Sequence, residues 1–337
     1  MKRTILAIVL LATGSTAHAQ SVPVTVDNFA RAESDLYMGN AFKQAGATGK
    51  LFHNREPVPI DKQFVIRANR DTLYSTIVLD LDAGPATITM PDAGKRFMSL
   101  QVINEDHYVP NVFYGAGSHR LSKDKMGTRY VLVGIRTLVD PNDPNDVKQV
   151  HALQDAIKVD QKAPGKFDVP NWDQASQKKV RDALLVLAST ISGFKDAFGP
   201  KGQVDPIKHL IGTAAGWGGN PDKDATYLSF TPAKNDGSTV YKLTVPANVP
   251  VEAFWSISLY NAEGYFQKND FDAYSLNNIT AKKSADGSVA VQFGGCDGKI
   301  PNCLPIVKGW NYTVRLYRPR PGILNGKWKF PEPQAVN

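Results

Sequence analysis

The spacing of apolar residues changes character several times along this chain. Over residues 27–45, Phe29, Ala32, Leu36, Met38, Ala41 and Phe42 fall at roughly helical intervals. That predicts a helix with Asp27 as N-cap and Gly46 as its stop. From Gln63 to about Arg136 the pattern becomes that of short strands: Phe64–Ile66, Leu73–Leu81, Ala86–Met90, Phe97–Ile103 and Tyr130–Ile135. Turn residues such as Ala83-Gly84-Pro85 and Pro91-Asp92-Ala93-Gly94 separate them, which predicts a sandwich or barrel-like sheet.

Helical spacing returns after the Pro141–Pro144 turn, where Val147, Val150, Leu153 and Ile157 recur every three or four residues. A longer helix is predicted from about Asp173 to Phe198, stopped by Gly199-Pro200, with its apolar stretch Ala183–Ala188 packed rather than solvated. Strands resume at Val240–Val245, Ala253–Tyr260, Ser288–Phe293 and Asn311–Tyr317. The last alternates cleanly: Tyr312, Val314 and Leu316 point one way, and Thr313, Arg315 and Tyr317 the other. The fold class expected is β-rich α+β, two sandwich-like domains (20–138 and 216–337) joined by a helical connector (139–215).

Residues 1–19 have a different pattern. Lys2 and Arg3 precede the apolar run Ile5–Ala12, and Ala17-His18-Ala19 follows. This is the order of a secretory signal peptide, with cleavage expected after Ala19 and a periplasmic or secreted destination. The run is too short to cross a bilayer, which takes about 20 apolar residues. The 337-residue chain has a formal charge of +7, of which Lys2 and Arg3 supply two, so the remainder carries +5. That excess is dispersed, without a block of like charge, so no nucleic-acid partner is expected.

Cys296 and Cys303, close together in a loop rich in Gly, Pro and Asn, predict a disulfide in an oxidising compartment. The histidines outside the leader show neither H-x-H nor H-E-x-x-H spacing, so no metal or other cofactor is expected.

The densest polar cluster is Asn69-Arg70-Asp71-Thr72-Leu73-Tyr74-Ser75. Arg70 offers a planar fork for a carboxylate or phosphate, and Asp71 an orienting group or a base. The same residues also suit a buried turn in which Asp71 caps amides and pairs with Arg70. Asn104-Glu105-Asp106-His107-Tyr108 ends a strand and makes His107 a second proton-transfer candidate, or part of an exposed polar loop. The glycine-rich stretch Gly212–Gly219 lacks both the phosphate-loop and the dinucleotide pattern. Its glycines suit close backbone approach around Trp217, in a pocket wall or a core. Tyr260, Tyr274 and Arg315 sit in aromatic-polar stretches that suit either a cleft or a core.

At these residues the chain resembles two bacterial domains of unknown function. Asn69–Ser75 resembles the signature of domain of unknown function 1254. Phe254-Trp255-Ser256, Leu259-Tyr260, Gly264-Tyr265, Tyr274-Ser275, Asn302, Leu304-Pro305, Arg315-Leu316-Tyr317 and Leu324–Trp328 resemble domain of unknown function 1214. Cys303 departs from the pattern, standing where an aromatic residue is expected. The resemblance implies two β-rich domains, the second jelly-roll-like, joined by a helical segment, with the N-terminal helix packed outside. It assigns no catalytic residue.

Three functions fit. One is an envelope enzyme, hydrolase- or lyase-like, acting on a small polar or anionic molecule, with Asp71 or His107 moving the proton and Tyr74 beside them. Another is a binding module without chemistry, using Asn69, Arg70, Thr72, Trp217, Tyr260, Tyr274 and Arg315. The third is a structural or assembly protein of the envelope, which would form a homo-oligomer.

Overall fold

The computed structural model describes residues 21–63 and 66–336. The leader, and Phe64 and Val65 of the first expected strand, lie outside them. The chain runs α1 (Phe29–Ala45), β1 (Phe52–His53), β2 (Thr72–Asp80), β3 (Ala86–Met90), β4 (Met98–Asn104), β5 (Asn111–Tyr114), β6 (Gly117–Leu121), α2 (Lys123–Met126), β7 (Tyr130–Leu138), α3 (Pro144–Asp155) and β8 (Lys158–Gln161). It continues with α4 (Gln174–Ala188), α5 (Pro206–Ala215), β9 (Ala225–Phe230), β10 (Tyr241–Val245), β11 (Trp255–Tyr260), β12 (Ser275–Asn277), β13 (Val289–Phe293), β14 (Cys303–Leu304), β15 (Asn311–Tyr317), α6 (Pro321–Leu324) and β16 (Gln334–Ala335).

The strands make two sandwiches. In the first, a five-stranded antiparallel sheet ordered β1-β2-β7-β4-β5 faces a three-stranded sheet ordered β6-β3-β8. Ile77 and Leu79 of β2, Leu100 and Val102 of β4, and Val131, Val133 and Ile135 of β7 meet Ile88 and Leu121 between them. Burying side chains of this size contributes about 1.5–3 kcal/mol each. The reverse face of the five-stranded sheet is also covered, by Met38 and Ala41 of α1 against Val78, Ile103 and Leu132. Every residue of β4 and β7 is therefore buried, and their sequences show no clean alternation.

In the second sandwich, β12-β11-β15-β9 faces β14-β13-β10-β16. Trp255, Ile257 and Leu259 of β11 and Tyr312, Val314 and Leu316 of β15 pack on Leu243, Val291 and Phe293 of the opposite sheet. The alternate residues of β9, β11 and β15 point the other way, toward the first sandwich. Cys296 and Cys303 form a disulfide with Cα atoms 5.7 Å apart, tying the chain after β13 to β14, which pairs with β13 in parallel.

Helices α1, α4 and α5 pack together through Phe29, Ala32, Leu184 and Ile211. Arg181 clamps Glu33 with two hydrogen bonds of 2.7 and 2.5 Å. Several expectations are corrected here. Asn28, not Asp27, precedes the first turn of α1. The long helix stops at Ala188. Its apolar stretch is not packed: Leu184 is buried, but Leu185, Val186 and Leu187 are 38%, 69% and 49% exposed. Four successive apolar residues span more than one helical turn, so one face cannot bury them all. The glycine-rich stretch begins inside α5, whose start Asp205 caps at the backbone N–H groups of Ile207 and Lys208, with Pro206 in the first turn. The connector is not wholly helical either, because β8 adds a strand beside β3. Among the described residues no helix is long and apolar enough to cross a membrane.

Candidate functional site: an arginine-floored cavity

The register of the two sheets decides which side chains meet. Tyr74 on β2 lies directly opposite Arg136 on β7, so both share the face turned away from the first core. On β15, Arg315 lies between Tyr227 of β9 and Ser256 of β11, on the face turned away from the second core. The two faces approach each other and leave a cavity of about 440 Å³. Arg136, Arg315, Asn69, Tyr74, Tyr227, Ser229, Thr313 and Tyr317 form its polar walls. Leu185 of α4, Ala214 and Ala215 of α5, Phe194 and Phe198, with Tyr37 and Trp217, form the opposite side. A volume of this size holds a small organic ligand.

Arg136 is buried, with 9% of its surface exposed, and Arg315 with 4%. Arg136 donates to Gln101 Oε1, to the Gly218 carbonyl at 3.2 Å, to Asn220 Oδ1 at 3.5 Å and to Tyr74 Oη at 3.4 Å. Arg315 donates to Ser258 Oγ at 2.8 Å, to the Arg67 carbonyl at 2.7 Å and to Tyr260 Oη at 2.9 Å. Every one of these acceptors is neutral. Among the described residues no carboxylate makes an ion pair with either guanidinium, whereas Arg96, Arg129 and Arg181 each have one. Asp71 is near enough to interact with the Arg315 charge but makes no ion pair with it. Burying cations against neutral hydrogen-bond acceptors is costly, and an anion placed between two such groups recovers part of that cost. Thr313 adds a buried hydroxyl with no protein partner.

Asn69 ties the polar wall together, its Nδ2 donating to Tyr74 Oη at 3.2 Å and to Tyr317 Oη at 3.1 Å. For Tyr74, burial opposes ionisation, but the Arg136 charge and the donors around its oxygen outweigh it and hold its pKa below the ordinary tyrosine value. Tyr317 is driven the other way, far upward, by burial and by the neighbouring Tyr74.

The glycine segment after α5 closes the floor. Gly218, with φ of 80°, presents its carbonyl to Arg136, and the Gly219 carbonyl accepts from Gln101 at 2.8 Å. A methyl group on Gly219 would overlap the Phe198 ring, so a glycine is needed for the loop to lie this close. Trp217 stacks on Tyr37 with centroids 4.5 Å apart and donates its indole N–H to Ser34 Oγ at 3.1 Å.

Asn69, Tyr74, Trp217 and Arg315 thus reach the cavity wall; Arg70, Asp71, Thr72, His107, Tyr260 and Tyr274 do not. Arg70 turns away to the Val58 carbonyl and lies over the Tyr274 ring. The expected Arg70–Asp71 pair does not form. Asp71 is buried, accepting from Asn277 Nδ2 at 3.4 Å, and burial raises its pKa although the Arg315 charge opposes this. Thr72 Oγ1 accepts from Asn69 at 3.4 Å, and Tyr260 supports Arg315 and donates to the Ala68 carbonyl.

His107 is fully buried with both ring nitrogens engaged. Thr213 Oγ1 donates to the His209 carbonyl, so it accepts from His107 Nδ1 at 2.8 Å, while His107 Nε2 accepts the Gly218 N–H at 2.9 Å. Burial, with His209 nearby, holds the imidazole neutral, its pKa far below the ordinary value. Its work is holding the loop.

Arg136, Gln101 and Tyr227 are cavity or supporting residues that the sequence reading missed, whereas Tyr317 lies in the aromatic-polar stretch it singled out. The available signal was a single arginine in the apolar run Tyr130–Arg136, the same signal that marks Arg315 in the last strand. Among the described residues no three His, Cys, Asp or Glu side chains converge as metal ligands would.

Two family models match the chain: Protein of unknown function (DUF1254) at residues 48–134, and Protein of unknown function (DUF1214) at residues 227–321. The fold is similar to the crystal structure of the VPA0106 protein from Vibrio parahaemolyticus, with TM-score 0.66 and 17% identity, covering 93% of this chain and 100% of that one. It is also similar to an uncharacterized protein from Burkholderia cenocepacia, with TM-score 0.54 and 14% identity, covering 91% of this chain and 87% of that one. No curated protein matches the chain.

Proposed function

We propose, for a chain that belongs to the proteins carrying DUF1254 at the N-terminal side and DUF1214 at the C-terminal side, that the cavity between the two sandwiches binds a small organic carboxylate. The observation that carries this reading is the pair Arg136 and Arg315, buried on facing sheets with only neutral acceptors. A carboxylate accepts from guanidinium N–H groups and hydroxyls together, and Thr313 and Tyr227 stand beside the arginines. A leader over residues 1–19 would deliver this site to the periplasm or beyond it, where a structural disulfide is stable.

The test is thermal unfolding of the purified protein in graded concentrations of small carboxylates, with phosphate, sugars and quaternary ammonium salts as comparisons. Carboxylates should raise the midpoint, by about 2.7 kcal/mol of stability at a hundredfold excess over the dissociation constant. Arg136→Gln and Arg315→Gln should each remove that response. Stabilisation by sugars or cations alone would refute the reading.

A second reading, proton transfer in a lyase- or hydrolase-like reaction, is favoured by Tyr74. Its oxygen accepts from Asn69 and Arg136, which leaves the hydroxyl proton available to a ligand in the cavity. Under this reading Tyr74→Phe keeps carboxylate-dependent stabilisation but abolishes turnover. An equal turnover rate in Tyr74→Phe would remove the residue from the chemistry.

A further inference from the structure

The cavity wall beyond the two buried arginines is mostly apolar, although the exposed Arg67 also lines the cavity, next to Ile66. Away from the arginines its wall is built from Phe194, Phe198, Ala214, Ala215 and Leu185, without a charged side chain among them. This wall does not stop at the protein surface. Leu185 lines the cavity and is 38% exposed, and Ile66 across the opening lines it and is 40% exposed. The next two residues of α4, Val186 and Leu187, are more exposed still, but successive helical positions turn by about 100°, so they lie on other faces of α4 and do not line the cavity. Two exposed branched apolar side chains, Leu185 and Ile66, line this one opening and mark a place where apolar matter is met. A short carboxylate such as acetate would fill the arginine end and leave the aromatic and aliphatic wall against water.

We propose that the ligand is a single-chain carboxylate amphiphile, its head held by Arg136 and Arg315 and its alkyl chain lying along Phe198 and Leu185 to the rim at Ile66. This rests on the carboxylate reading given above and adds the chemistry of the rest of the molecule. The head end supplies orientation through charge and hydrogen bonds. The tail end supplies affinity through burial, about a fourfold gain in binding constant for each methylene removed from water. Protein interiors accept an alkyl chain readily where the lining is aromatic and aliphatic, and the open rim sets no strict limit on its length.

The experiment is isothermal titration of the purified protein with butanoate, hexanoate, octanoate and decanoate, all below their micellar concentrations, and with 1-octanol as the neutral analogue of octanoate. Affinity should rise about fourfold per methylene over at least part of the series. 1-Octanol should bind at least tenfold more weakly than octanoate. Leu185→Ser with Ile66→Ser, both at exposed positions, should weaken octanoate and decanoate severalfold and leave butanoate unchanged. Thr313→Val, which removes an unpartnered hydroxyl without changing shape, should weaken every carboxylate by a similar factor, and it serves where Arg136→Gln does not fold.

A flat series, with short carboxylates bound and Arg136-dependent, would overturn the amphiphile and leave the carboxylate reading standing. Binding of no carboxylate at any length would overturn both. A chain-length gain that survives in the Leu185→Ser, Ile66→Ser protein would mean that the tail does not follow this wall, and would overturn the assignment. Equal binding of 1-octanol and octanoate would do the same for the role of the head.

Discussion

His107 and Arg136 hold opposite ends of one peptide residue: His107 Nε2 accepts the Gly218 N–H at 2.9 Å, and the Gly218 carbonyl accepts from Arg136 at 3.2 Å. A buried neutral imidazole therefore positions the loop that positions a cavity arginine. His107→Ala should cost about 3 kcal/mol, since it opens a void and leaves the Gly218 N–H and Thr213 without their partner. Denaturant unfolding of the unliganded variant measures this. Loss of ligand response with unchanged stability would instead place His107 in direct contact with ligand.

The same residue has a pH signature. Its folded pKa lies well below the ordinary histidine value of 6.5, so between the two the unfolded chain binds the proton more readily. The stability from this source is present above pH 6.5 and falls as the pH drops below it. A proton taken up by the folded protein would also oppose the Gly218 hydrogen bond.

Asp35 should act with the opposite sign. Burial first, then the nearby Glu105 and Asp106, raise its pKa from 3.8 to about 7, against the Trp172 hydrogen bond and the Arg31 charge. The folded state therefore holds this proton more tightly, and the stability it brings is full below pH 3.8 and lost as the pH rises through about 7. Asp35→Asn keeps an oxygen acceptor for the Trp172 N–H, which lies 2.8 Å from Asp35 Oδ2. The variant should gain stability relative to wild type between pH 4 and 7 and hold that gain above. Melting temperatures of both proteins across this range decide it: a constant difference would rule out Asp35 as the titrating group.

Gly219 and Phe198 make a double-mutant test of the loop. Gly219→Ala should cost about 1–3 kcal/mol through overlap with the ring. In a Phe198→Ala background most of that penalty should vanish, because the overlapping atoms are gone. Additive costs would show that the backbone, not the ring, demands glycine.

Replacing Cys296 and Cys303 together by Ser should lower stability by about 2 kcal/mol, as expected for so short a closed loop. Carboxylate binding should be unaffected, because neither cysteine lines the cavity. Calorimetry on the double variant checks both halves of the statement.

The chain's own pattern determines much of this protein. Alternation in Asn311–Tyr317 separates core-facing Tyr312, Val314 and Leu316 from Thr313, Arg315 and Tyr317, and the structure keeps that division. The positions of β3, β13 and β15, the helix ending before Gly46 and the cysteine pair follow from local turn chemistry and periodicity. These are short-range properties, and short-range physics carries them. Strands β4 and β7 conceal their faces because both sides are buried, and Arg136 is hidden in an apolar run for the same reason. Only the tertiary structure sets Arg136 and Arg315 on facing sheets, 179 positions apart in sequence, and turns Arg70 and Asp71 away from the cavity although they lie beside Asn69. Neighbours on a chain share a backbone but not a direction; which side chains converge is decided by sheet register and by how two sandwiches and three helices close around one space.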